Sequence, residues 1–177
     1  FKQYAQKIAK KSNITCTILN KKAIETKKMG AFYSVAKASD HQAYLIHLVY
    51  KPSKKAKKKV ALVGKGITFD TGGYSLKPPK NQETMKMDMA GAAAVLATMK
   101  AISEMGGLDV EVHGFIATCE NMVAGTASKP GDIVKAYNGK TIEINNTDAE
   151  GRLILADTMT YAQKQVKPDE LMDVATL

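Results

Sequence analysis

Two carboxylates and a guanidinium stand at alternate positions in Asn146-Thr147-Asp148-Ala149-Glu150-Gly151-Arg152-Leu153. The apolar-periodic segment Leu153 to Tyr161 follows, so the acidic pair falls at a helix entrance, where the macrodipole favours negative charge. Two chemistries fit this stretch. In one, Asp148 caps the helix, Glu150 sits in its first turn and Arg152 is a surface charge. In the other, the carboxylates hold metal and Arg152 binds an anion beside them. Two more acidic residues bear on the choice. Asp70 follows the apolar run Val60-Ala61-Leu62-Val63 together with Lys65, and Asp88 stands among Met85, Met87 and Met89 ahead of an Ala-rich segment. A carboxylate among methionines is poorly hydrated. Ligand sites of open α/β sheets form where loops converge at the carboxyl ends of strands. Four carboxylates converging there repel unless cations neutralise them, and two divalent ions bridged by Asp or Glu would do so. The alternative is that each Asp is a separate helix cap. Lys65 and Lys77 flank the same loops, either as counter-ions or as neutral amines that bind an ion after it displaces their proton. The residue types leave both open.

Several other chemistries are disfavoured. The three histidines, His41, His47 and His113, are scattered, and Cys16 and Cys119 are far apart with no CxxC pair, so a His/Cys zinc site is not available. Unpaired cysteines fit a reducing, cytoplasmic setting. No apolar run approaches the roughly 18 residues of a membrane span. The net charge of +9 invites a nucleic-acid partner, but much of the excess lies in Lys51, Lys54, Lys55, Lys57, Lys58 and Lys59. That run has no interleaved aromatics for base stacking and reads as a solvated connector, leaving DNA an unsupported alternative. Gly64-Lys65-Gly66 has the look of a phosphate loop, but it lacks the GK[ST] ending of a P-loop and has Phe69 where a dinucleotide fingerprint needs glycine.

These residues must be positioned by alternating elements. Helices are expected over Phe1 to Lys11, Lys21 to Met29 (stopped by Gly30), Met87 to Met105 and Gly151 to Gln165. Strands are expected at Ile14 to Leu19, Ala43 to Tyr50, Val60 to Val63, Val110 to Ala117 and Leu171 to Thr176, with Ala31 to Ala36 a short strand or turn. Gly64 to Gly73 is expected to leave its strand as a loop, Glu120 to Asp132 is expected to be loop, and Lys51 to Lys59 to join two paired strands as a hairpin. Asn138-Gly139 predicts a tight hairpin between Ile133 to Tyr137 and Thr141 to Asn145. The alternation argues an α/β fold, a three-layer α/β/α sandwich with a central mixed β-sheet.

Three ordered motifs, Val63 to Gly73, Met87 to Ala93 and Asn146 to Leu153, resemble the leucyl (cytosol) aminopeptidase family of metallopeptidases. Cys119 to Met122, Lys129 to Asp132 and Asn138 to Thr141 are similar to it as well. The likeness is dense from Val60 to Leu177 and looser before. It implies a dimetal aminopeptidase that hydrolyses the amino-terminal, leucine-like residue of peptides, with metal-bound water as nucleophile. By resemblance, Asp70 and Glu150 would bridge two divalent ions, Zn2+ or Mn2+. Lys65 and Asp88 would complete the tight site, with Lys65 a neutral amine, and Asp148 the exchangeable site. Lys77 would polarise the scissile carbonyl, and Arg152 would hold a bicarbonate as general base. Lys77, Asp88 and Thr176 would contact substrate, with Thr176 and Leu177 opening a substrate-site loop. Pro78 and Pro79 depart from the smaller residues often found there. Family chains are longer homohexamers. Residues 1–177 are therefore expected to be a catalytic domain cut at both ends, lacking an amino-terminal domain and the rest of the catalytic domain.

Overall fold

A computed structural model describes residues 1–176. A five-stranded mixed sheet runs in the order β1 (Ile14–Asn20), β2 (Tyr44–Tyr50), β4 (Val110–Asn121), β3 (Lys58–Asp70), β7 (Glu170–Val174). β2 is antiparallel to both β1 and β4, while β3 is parallel to β4 and to β7. Helices cover both faces, as a three-layer sandwich requires. On one face Leu45, Ala61, Val63, Ile67, Phe115 and Ala117 pack under α2 (Lys21–Thr26), α3 (Gly30–Ala36) and α6 (Glu150–Val166). On the other, Ile46, Leu48, Val112 and Ile116 pack under α1 (Lys2–Lys11) and α5 (Ala90–Met105), with the four-residue α4 (Pro79–Gln82) in the link from β3 to α5. The period-2 alternation of β4 sends Phe115 and Ala117 to one core and Ile116 to the other. A separate hairpin pairs β5 (Asp132–Lys135) with β6 (Thr141–Ile144) across Asn138-Gly139, where Gly139 adopts the positive φ that the turn demands.

Four expectations are corrected. The strands flanking the lysine run are not a hairpin: β4 inserts between β2 and β3, and the connector crosses over it. Two of its lysines are paired locally, Lys57 with Asp109 and Lys58 with Glu170. Gly64 to Asp70 is not loop but the second half of the 13-residue β3. Its glycines serve close packing, because a Cβ on Gly64 would lie 2.6 Å from Ala92 Cα and one on Gly66 2.7 Å from Ala117 O. β4 likewise runs on to Asn121. Finally, Ala31 to Ala36 is helical, and Gly30 opens that helix instead of stopping α2. Its placement explains the apolar run, since Ala31, Phe32, Val35 and Ala36 are all buried. Gly30 is required there because a Cβ would meet Lys135 O at 2.2 Å.

Candidate active site

The carboxyl ends of β3, β4 and β7 meet the entrances of α5 and α6, and a cleft of about 390 Å3 opens there. Lys65, Asp70, Lys77, Asp88, Asp148, Glu150, Arg152 and Thr176 all line it, with Met85 and Met87 at its apolar side. The predicted metal-binding, catalytic and substrate-contacting residues from Lys65 to Thr176 therefore reach one cavity. Leu177, the second residue of the expected substrate loop, lies outside the described residues.

The length of β3 places two of these groups. Lys65 points from the strand toward α6 and is 4 % exposed. Its Nζ donates to Asp88 Oδ1 and Glu150 Oε1, each at 2.9 Å, and to the Thr176 carbonyl at 2.9 Å. Five residues on, Asp70 ends the strand. Its Oδ1 accepts from Gly72 N at 2.9 Å and from Asn121 Nδ2 at 2.8 Å, and its Oδ2 faces Lys77 Nζ at 3.0 Å. Lys77 also donates to Asp148.

The helix-cap alternatives fail here. The N-caps of α5 and α6 are Met89 and Ala149, and neither makes a side-chain capping bond. Asp88 instead lies just ahead of α5, where its Oδ1 also accepts from Thr176 Oγ1 at 2.5 Å. Asp148 is bonded to Lys77, and Glu150 is the first residue of α6, buried and turned into the cleft. The corner before the helix sends both carboxylates inward, which residues two apart within a helix could not achieve. Arg152, the third residue of α6, is exposed on the cleft wall.

The electrostatics are unbalanced. Four carboxylates face two ammonium groups. Burial, and then the charge of Asp70, push the Glu150 carboxyl up to about 7, with Lys65 opposing. Burial works against the charged forms of Lys65 and Lys77, but their carboxylate partners outweigh it and raise both on balance. Carboxylate oxygens of Asp70, Asp88 and Glu150 all lie within 4.8 Å of one another, and the buried Asp88 Oδ2 has no hydrogen-bond partner. A buried carboxylate oxygen left unpaired is costly, and a cation is the partner that would satisfy it. The donor set fits hard or borderline divalent ions: carboxylate oxygens with an amine close by.

Two further residues, absent from the sequence-based set, belong to the site. Asn121, the last residue of β4, donates to Asp70, to the Thr147 carbonyl at 3.0 Å and to Glu150 Oε2 at 3.4 Å. Thr147 ties the corner before α6 to the loop after β3, donating from Oγ1 to Gly72 O at 2.6 Å and accepting from Ser75 N at 2.7 Å. Both lie in motifs noted in the sequence, but a neutral amide or hydroxyl carries no signal of what it will touch.

Fold and site together define an α/β domain with a buried carboxylate and lysine centre suited to divalent metal. Comparison with known proteins gives the family: the chain belongs to the cytosol aminopeptidase family, whose catalytic-domain model matches residues 1–177. It is 54 % identical over 174 residues to a probable cytosol aminopeptidase of Prochlorococcus marinus, covering 98 % of this chain and 35 % of that protein. Similar proteins from Wolinella succinogenes (53 % over 175 residues, 99 % of this chain and 36 % of theirs) and Aquifex aeolicus (52 % over 173 residues, 98 % and 35 %) carry the same description. The chain thus spans about a third of the length of these curated relatives. Among the described residues, no helix is long and apolar enough to cross a membrane.

Proposed function

We propose that the full-length protein is a dimetal aminopeptidase that removes the first residue, leucine-like by preference, from peptides. The observation that carries this reading is the buried triad Asp70, Asp88 and Glu150, with one Asp88 oxygen left without a partner. Asp70 and Glu150 would each hold both ions, zinc or manganese. Lys65 and Asp88 would complete one position and Asp148 the other. Bound divalent ions supply Lewis-acid activation of water and of the peptide carbonyl.

The chain's own groups supply the remainder. Lys77 keeps its proton because Asp148 and Asp70 outweigh its burial. It would donate a hydrogen bond to the scissile carbonyl as negative charge grows on that oxygen. Arg152 presents an exposed guanidinium to the cleft, a seat for a planar bicarbonate held through two N–H bonds, which would accept a proton where no histidine stands. Thr176 and Asp88 would face the substrate's amino end, and Met85 and Met87 give that side an apolar lining. A homohexamer of full-length chains in the cytoplasm, with residues 1–177 as part of the catalytic domain of each, completes the proposal.

The test is hydrolysis of leucyl peptides or leucyl amide by the full-length protein supplied with zinc or manganese. Failure to release the first residue would overturn the peptidase reading. Equal activity and metal content in Asp88→Ala would overturn the dimetal assignment.

A further inference from the structure

Asn121 sits among the carboxylates of the site, yet it carries no charge, and it is buried, 5 % exposed. Its register partner in the sheet is Asp70, reached after an irregularity in the β3–β4 ladder between Ile67 and Asp70. The Asn121 side chain faces three oxygens, Asp70 Oδ1 at 2.8 Å, the Thr147 carbonyl at 3.0 Å and Glu150 Oε2 at 3.4 Å. Three acceptors on one side settle which end of the amide points there, because only the NH2 group can donate to them. The backbone of Asn121 is engaged too: its carbonyl accepts from Thr71 N at 3.0 Å and Thr71 Oγ1 at 2.9 Å. One residue therefore ties together the end of β3, the corner at Thr147 and the first residue of α6.

The choice of an amide has a physical reason. The site needs a donor between Asp70 and Glu150, whose carboxylate oxygens lie within 4.8 Å of each other. A lysine or arginine there would add a fixed cation to compete with a bound ion, and an aspartate a fifth carboxylate. The asparagine NH2, with two hydrogens for three acceptors, holds Asp70 Oδ1 directly and Glu150 Oε2 through the weaker 3.4 Å contact, and it adds no net charge, leaving the negative potential of both carboxylates available to a cation. Partners that orient metal-binding side chains from behind typically control metal affinity by ten- to a hundredfold.

We propose that Asn121 is a positioning residue for the metal centre, setting the orientation of Asp70 and Glu150 and thereby the affinity for divalent ions. This rests on the dimetal reading above. The test uses the full-length protein with Asn121→Ala and Asn121→Ser, Ser keeping one short donor should the Ala variant fail to fold. Zinc and manganese affinities are measured by competition with a chelating indicator, beside Asp88→Ala, and the folded fraction is followed by circular dichroism. The expected result is roughly ten- to hundredfold weaker metal binding in a folded variant. Excess metal should restore occupancy, leaving kcat reduced and KM little changed. A folded Asn121 variant that binds both ions within twofold of the wild type overturns this proposal alone. A wild-type protein that takes up no ion, or an Asp88→Ala variant that binds as well as wild type, overturns the dimetal reading and this proposal with it.

Discussion

Gly151 lies against the side chain of Lys65: a Cβ built on Gly151 would fall 2.8 Å from Lys65 Cε and 3.0 Å from its Nζ. The second residue of α6 must be small so that a lysine from β3 can pass it and reach Asp88 and Glu150. The atoms in the way are the flexible end of a side chain, so a methyl group there moves Lys65 and not the fold. Gly151→Ala in the full-length protein should therefore melt within a few degrees of wild type, helped by the roughly 1 kcal/mol helix preference for Ala. Its aminopeptidase turnover should fall about tenfold or more through lost positioning. Parallel thermal melts and leucyl-amide assays separate the two effects, and wild-type turnover would show that Lys65 tolerates the displacement.

Gly64→Ala should do the opposite. Its Cβ would meet backbone, 2.6 Å from Ala92 Cα and 2.8 Å from Gly91 O, and backbone yields only if α5 moves off the sheet. Overpacking of this kind costs about 1–3 kcal/mol. Urea denaturation should show a lower midpoint, and activity should fall with it, because α5 carries Asp88 at its entrance.

Asp157 is fully buried on α6 and spans two segments, accepting from Phe32 N at 2.9 Å and from Tyr137 N at 2.7 Å. It anchors α3 and the hairpin to the helix and takes no part in the cleft. Asp157→Ala orphans two N–H groups, at about 1–3 kcal/mol each. The expected loss is roughly 2–6 kcal/mol of stability by denaturant titration, with the activity of the remaining folded protein unchanged.

Acid should destabilise the protein through a histidine pair remote from the cleft. Glu111 Oε1 accepts from His113 Nε2 at 2.8 Å, which leaves His113 Nδ1 to accept from His47 Nε2 at 2.9 Å. Burial, and then His113, push His47 down to about 4. A depressed folded value means that the unfolded chain binds the proton first. Stability is therefore fully present above the ordinary value of 6.5 and is lost as pH falls toward 4, by roughly 3 kcal/mol at most. His47→Gln cannot charge, so its melting temperature should fall less steeply between pH 6.5 and pH 4 than that of wild type.

Local chemistry explains why some elements were legible in the sequence. Asn138-Gly139 specified a hairpin by turn geometry, the period of Leu153 to Tyr161 specified α6, and the ordered motifs around Lys65, Asp88 and Glu150 specified the family. Ala31 to Ala36 was not legible, because a short run of five apolar residues and one serine fits a strand or a helix equally well and only contact with α6 and the sheet decides between them. The glycines at 64 and 66 were ambiguous for the same reason: whether a glycine frees a loop or admits a helix depends on what lies above it.

By itself, then, the sequence determined which groups could bind and react, since charge, donor type and turn preference belong to each residue and its neighbours. Only the tertiary structure decided where they point. The insertion of β4 between β2 and β3 brings Asn121 beside Asp70, residues 51 positions apart in the chain. The packing of β3 and the loop after it against the entrances of α5 and α6 turns Asp88 and Asp148 from possible helix caps into partners of Lys65 and Lys77. Contacts of that range are set by strand order and packing of the whole sheet, which no local stretch encodes.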